Sequence, residues 1–286
     1  MAGITNLVKR IINETQITSI SFSSIYPEML TEEFLSLVVG NQRITQCFHL
    51  SLQSGSQTVL ERMNRKTNLN ELLKKLQWIK SKNPFFTFRA DIISGFPNET
   101  EQEFQETLDF IKNAKISFAH VFTFSPRKGT TAYQMIKTKQ WQDLPEKTKK
   151  ERAKKIKIAV EEIGKKEAEK IIGQTMDCLI IKKVNCHSEN FYLSFRATPM
   201  DIRGVEKSLS PANYTTKERD PSTPLRLRSE SVGMTQWEGI TENGILVRAR
   251  DRVRVEKRLK GKILPIKITG FEKNYSVGEI NSLPTN

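Results

Sequence analysis

The chain has 286 residues, with 46 Lys+Arg against 32 Asp+Glu and a formal net charge of +14. That length suits about two domains, and with no run of about 18 apolar residues there is no candidate membrane-spanning helix. Three dispersed cysteines (Cys47, Cys178 and Cys186) exclude a disulfide scaffold and, with an N-terminus lacking the apolar stretch of a secretory signal, point to the reducing cytoplasm.

The first half alternates strand-like and helix-like patterns. Ile17–Ser23 reads as a strand by alternation and β-branching, and Thr31–Val39 as a short helix capped by Thr31. Gln46–Leu52 is the second strand, Asn70–Lys80 the next helix, and Phe85–Ile93 a third strand ending at Gly95. Thr100 and Glu103 form a capping box for a helix reaching Lys112, with Phe104, Leu108 and Ile111 as its apolar stripe. Phe118–Phe124 is the fourth strand. Strands separated by helices of this length imply parallel β-α-β units.

Residues 145–170 read as a long, charged connecting helix with Ile156, Val160 and Ile163 on one side. Beyond it the pattern changes to short β-like runs (MDCLIIKKV, NFYLSFR, NGILVRAR and KILPIKITGF), with a Pro/Ser/Thr-rich surface segment over Ser208–Ser231. The expected organisation is therefore an α/β domain over residues 1–144, a helical connector over 145–170 and a small all-β domain over 171–286. Arg248–Lys267 carries nine basic residues against two acidic ones. Arg248, Arg250, Arg252 and Arg254 alternate there with Val247, Ala249, Val253 and Val255, which places guanidiniums on one face of a strand. Two readings stand: a charged edge that blocks aggregation, or a row of arginines matched to nucleic-acid phosphates, RNA being the better guess.

Three glycine-containing polar turns follow the second, third and fourth strands: Gln53-Ser54-Gly55-Ser56, the run from Asp91 to Gly95-Phe96-Pro97, and Ser125-Pro126-Arg127-Lys128-Gly129. Ligands of parallel α/β proteins bind at strand C-termini, so one rim holding three such turns is a candidate small-molecule site. The alternative is that the glycines only satisfy backbone geometry. No metal-ligand set is read from the sequence. The cysteines are too scattered for zinc or an iron–sulfur centre, and His49 and His120, within strands, read as core or rim residues rather than general bases. Arg62 and Arg65 could reach a phosphate but read more simply as solvated helix residues.

The blocks HLSLQSGSQTVLERMNR, RADIISGFPNETEQEFQETLDFI and HVFTFSPRKGTTA, in this order and spacing, resemble the radical SAM tRNA methylthiotransferases. ISFSSIYPEMLTEEFL resembles the Ser-Ser-x-x-Pro block of the branch that methylthiolates C2 of threonylcarbamoyl-adenosine beside the anticodon, and WEGITENGILVRARDRVRV resembles the RNA-binding TRAM barrel of these enzymes. The resemblance implies the C-terminal part of a radical SAM partial (β/α) barrel followed by a TRAM-like barrel, with tRNA as partner and S-adenosylmethionine and 4Fe–4S clusters as the family's cofactors. It implies that Gln53 and Ser54 lie beside the ribose and methionine side of S-adenosylmethionine, Asp91 and Gly95 in the turn approaching the adenosine, and Ser125 and Arg127 in the turn closing the far side. Asn98 stands where the family usually has glycine.

The family's C-x-x-x-C-x-x-C motif and its N-terminal cluster domain have no counterpart in the 286 residues, and only four of the family's six barrel strands are read. The sequence-level expectation is thus a truncated or split methylthiotransferase, inactive alone: either a degraded gene product or one half that works with a separately encoded N-terminal half. The competing expectation is a non-catalytic RNA-binding module.

Overall fold

The computed structural model describes residues 3–184, 236–251, 259–272 and 275–280. The first part is built from α1 (Gly3–Glu14), β1 (Ile20–Ile25), α2 (Glu32–Val39), β2 (Ile44–Gln53), α3 (Gln57–Arg62), α4 (Leu69–Lys82), β3 (Thr87–Ser94), α5 (Glu101–Asn113), β4 (Ile116–Thr123), α6 (Thr131–Lys137) and α7 (Glu146–Glu169). The four strands form one parallel sheet in the order β1-β2-β3-β4, as the alternating pattern requires. Strand and helix bounds shift by a few residues from the sequence reading. The short helix α3 leaves no mark in the sequence pattern, because one and a half turns carry too few apolar residues to show a period.

Alternation sorts the strand side chains onto two faces. Phe48, Leu50, Leu52, Phe88, Ala90 and Ile92 turn toward the helices and are fully buried. They meet Phe34 of α2, Leu76 and Ile79 of α4 and Phe104 of α5 in a single core. Phe48 packs edge-on against Phe86 at 4.9 Å between ring centroids, a geometry that favours aromatic pairs. The opposite face is polar and only half-buried, with Gln53 on β2, Arg89 and Asp91 on β3 and His120 on β4.

Helix α7 does more than link two parts. Its apolar stripe, Ile156 and Val160 with Ile163 beside them, joins the core of the sheet. It runs against β4, the sheet's last strand, and so covers an edge that would otherwise be open. The same helix buries three charged side chains, Lys149, Arg152 and Glu167. Each is paired: Lys149 with Asp143 and Glu146, Arg152 with Glu99 and Glu101, and Glu167 with Lys80 and Lys170.

The second part is a closed barrel of β5 (Thr175–Val184), β6 (Gln236–Thr241), β7 (Leu246–Asp251), β8 (Ile263–Glu272) and β9 (Tyr275–Ile280), in the order β5-β6-β7-β9-β8. Cys178, Ile180, Trp237, Val247, Leu264 and Ile266 fill its interior. The run NFYLSFR lies outside the described residues. Strand β9 is absent from the sequence reading; YSVGEI has a weak alternation and a glycine at its centre.

At its described positions the alternation has the expected parity. Val247 and Ala249 are buried while Arg248 lies on the outer side. Arg248 is nevertheless not an unengaged cation: its Nε lies 3.5 Å from Glu238 Oε2 on the neighbouring strand, and only 17% of its side chain is exposed. A cross-strand ion pair thus absorbs the first member of the expected phosphate row. Arg250 pairs through its backbone with Gln236, and Arg252 and Arg254 lie outside the described residues.

The turn joining β6 to β7 docks on the N-terminal ends of β2 and β3. Gln46 N donates to Glu242 O at 2.9 Å and Asn243 Nδ2 to Phe85 O at 3.1 Å. Thr87 Oγ1 and the Arg89 guanidinium donate to the carbonyls of Asn243 and Gly244. Asn243 is fully buried in this joint, so both ends of its amide must be satisfied, and they are: its Oδ1 accepts from Thr241 Oγ1.

Candidate functional site

The three turns do stand together at the C-terminal ends of β2, β3 and β4. Gln53 ends β2 in the left-handed region, φ +71°, a conformation that costs a non-glycine residue about 1–2 kcal/mol. Strain of this kind collects at sites where a side chain must be aimed. Its amide donates to Ser51 Oγ at 3.0 Å and its side chain is half-buried on the polar face.

Its neighbours serve packing. Ser54 is buried, with Oγ 3.2 Å from Thr107 Oγ1 and accepting from Ser56 N at 3.1 Å. It therefore fastens the turn to α5 and does not face the rim. A Cβ on Gly55 would lie 2.8 Å from Thr107 Cα and Phe110 Cβ, so glycine lets the turn touch α5. Gly95 has φ +73° and would put a Cβ 2.5 Å from Lys149 Cγ on α7; its N–H donates to Glu99 Oε2 at 3.0 Å. Helix approach thus explains Gly55, and helix approach together with the positive φ explains Gly95. Asn98 takes the left-handed conformation expected of a glycine, φ +60°, which asparagine tolerates. Its Oδ1 accepts from Gln142 N at 2.7 Å, which ties the turn to the segment before α7.

Ser125 and Arg127, in the third turn, are exposed, as is Phe122 just before them, at 54%. Arg62, a candidate phosphate ligand, forks onto Glu103 at 2.7 and 2.8 Å, and Arg65 lies over the Tyr26 ring. The Arg62 fork, a Thr58 hydroxyl and the Thr100 N–H hold the Glu103 carboxyl down at about 2, against the cost of its burial.

Asp91 is not in the rim turn. It sits within β3, where its Oδ1 is 3.0 Å from His49 Nε2. The His120 ring stacks on His49 with centroids 5.3 Å apart. The two histidines, expected as core or rim residues, stand side by side. Both lie on the half-buried polar face with Asp91 between their strands, and burial, with His49 nearby, pushes the His120 imidazole below its usual range. The signal was available in part: once β3 and β4 are parallel with Asp91 opposite His120, parity puts them on one face.

The described cysteines do not suit an iron–sulfur cluster. Cys47, half-buried on β2, and Cys178, fully buried inside the barrel, belong to different sheets. Burial pushes the Cys178 thiol up to about 12, away from the thiolate a cluster needs. Among the described residues no cysteine belongs to a group of three potential ligands. Toward solvent the rim presents the exposed Phe122 ring, the exposed Ser125 and Arg127 and the half-buried Gln53.

The Radical SAM superfamily profile matches residues 3–111, from α1 into α5. These residues are a radical SAM domain. The chain is also related to tRNA methylthiotransferases. It is 35% identical over 189 residues to the threonylcarbamoyladenosine tRNA methylthiotransferase of Aquifex aeolicus, covering 66% of this chain and 45% of that protein. It is 34% identical over 222 residues to the tRNA-2-methylthio-N(6)-dimethylallyladenosine synthase of Corynebacterium glutamicum, covering 74% and 41%. The threonylcarbamoyladenosine enzyme of Thermotoga maritima is 33% identical over 178 residues, covering 61% and 40%. The chain thus spans less than half the length of each. Among the described residues, no helix of the radical SAM domain or elsewhere is long and apolar enough to cross a membrane.

Proposed function

We propose that the chain is the cofactor-rim and RNA-binding part of a cytoplasmic tRNA methylthiotransferase acting on C2 of threonylcarbamoyl-adenosine. The observation that carries this reading is the convergence of three turns on one rim of a sheet within and just beyond the radical SAM match. Similarity to threonylcarbamoyladenosine and dimethylallyladenosine enzymes is nearly equal, 35% and 34%. The choice of substrate rests instead on the Ser23-Ser24-Ile25-Tyr26-Pro27 block, which leads from β1 into a 3₁₀ turn starting at Pro27. S-adenosylmethionine would be held by Gln53, Ser125 and Arg127, with Ser54 and Gly95 shaping the turns rather than touching it. The cofactor supplies the family's radical chemistry when bound; these residues bind and orient it. The thiolates of a 4Fe–4S cluster would come from polypeptide other than these 286 residues, such as a separately encoded half. The barrel of β5–β9, read as a TRAM-like domain, would hold the tRNA through the basic stretch that includes Arg250, Arg252 and Arg254.

Fluorescence anisotropy with anticodon stem-loops tests this reading. A loop carrying threonylcarbamoyl-adenosine is expected to bind more tightly than one with dimethylallyl-adenosine or plain adenosine. Neutralising Arg250, Arg252 and Arg254 is expected to weaken all three and to flatten the log–log salt slope by about one for each phosphate no longer neutralised. Equal affinity for the three loops would reject the substrate assignment and favour the second reading, a non-catalytic RNA-binding module. That alternative draws its support from the scattered cysteines. An unchanged salt slope in the triple variant would reject the arginine row.

A further inference from the structure

We propose that His49, Asp91 and His120 form a binding site for one first-row divalent cation on the polar face of the sheet, independent of any cluster. The residues come from three adjacent parallel strands, and their backbones are fixed by the ladders β2–β3 and β3–β4, with Asp91 directly opposite His120. One ligand atom from each lies within 4.8 Å of the other two. Three ligands at about 2.1 Å from one metal stand about 3.4 Å apart, so side-chain rotation of roughly an ångström closes the set. Two imidazoles and a carboxylate suit zinc, cobalt, nickel or ferrous iron and disfavour magnesium and calcium, which take oxygen ligands.

The surroundings support a site and not a random cluster. His49 and Asp91 are only 16% and 18% exposed, enough to admit an ion while excluding most water. His120 is held by ring packing, against His49, Phe118 and Phe122, which sets its ring plane without a described hydrogen bond to its nitrogens. Arg89, whose charge reaches His120, is engaged elsewhere: its guanidinium donates to the Gly244 carbonyl of the barrel turn and lies over the Phe118 ring. Three protein ligands leave at least one coordination position open on the polar face, as in sites that hold an exchangeable water or an anionic group.

Cobalt(II) titration of the full 286-residue chain, without S-adenosylmethionine or RNA, tests the proposal apart from the proposed function. The expected result is one equivalent bound with visible d–d absorption, displaced by zinc. Affinity should fall by at least about tenfold in His120→Phe, which keeps the aromatic packing, and in Asp91→Asn, with circular dichroism unchanged in both. The triple variant Cys47→Ser/Cys178→Ser/Cys186→Ser should retain the spectrum. Absence of stoichiometric binding, binding that survives His120→Phe and Asp91→Asn, or binding that disappears with the cysteines would each overturn it.

Discussion

Arg152→Leu is expected to destabilise the protein by about 3–5 kcal/mol at neutral pH, the usual cost of leaving a buried charge without its partner. Arg152 donates to Glu99 Oε2 at 2.7 Å, to the Glu99 carbonyl at 2.9 Å and to Glu101 at 3.0 Å, and lies over the Phe104 ring. Glu99 has a 2% exposed side chain, so solvent cannot replace the guanidinium. Burial already raises the Glu99 carboxyl above its usual range, with Arg152 opposing the rise; without Arg152 the rise grows. The sign follows from linkage. A carboxyl raised in the folded state costs stability only where the unfolded chain ionises, so the penalty should fade below about pH 4.5. Urea unfolding of the wild type, Arg152→Leu and Arg152→Leu/Glu99→Gln measures it, the second substitution recovering most of the loss. A cost under about 1 kcal/mol, or one that persists at pH 4, would contradict the buried-pair explanation. The turn itself is at stake as well, because the same Glu99 oxygen accepts from Gly95 N at the end of β3.

Glu103 should show the opposite pH dependence. Its carboxyl is lowered from 4.5 to about 2, first by the Arg62 fork, with help from Thr58 and the Thr100 N–H. A depressed folded-state value gives stability that is complete above the unfolded value of 4.5 and is lost as the pH falls toward 2. The shift corresponds to about 3 kcal/mol. Glu103→Gln should therefore cost about that much at pH 7 and almost nothing at pH 2, by urea midpoints at matched ionic strength. A difference between wild type and variant that stays constant from pH 7 to pH 2 would show that the fork contributes no charge-dependent stability.

These two carboxylates also show what was legible in the sequence. The Thr100–Glu103 capping box could be read because its partners are three residues apart, and both of its hydrogen bonds form. The Arg62 fork on the same Glu103 spans 41 residues and the Arg152–Glu99 pair 53, beyond any local pattern. The parallel sheet followed from strands separated by helices. The role of α7 did not, because a charged helix with one apolar stripe looks the same whether it bridges two parts or covers a sheet edge; burial of Lys149 and Arg152 decides it.

At the site, the strand-end turns were found from their glycines. Gly55 is required by the approach of α5, and Gly95 by its positive φ and the approach of α7; Gln53 is strained and the third turn exposed. The histidine pair was missed because parity assigns a face only after strand direction and register are known. The engagement of Arg248 by Glu238 across the ladder was not legible, because that pairing is set by the order of strands in a closed barrel.

Anaerobic reconstitution of the chain with iron and sulfide, followed by optical spectroscopy and an assay for cleavage of S-adenosylmethionine, tests most directly whether these residues supply the rim and not the cluster. The expected result is no stoichiometric visible chromophore and no deoxyadenosine from this chain alone. A full equivalent of 4Fe–4S cluster with reductive cleavage of S-adenosylmethionine would contradict it.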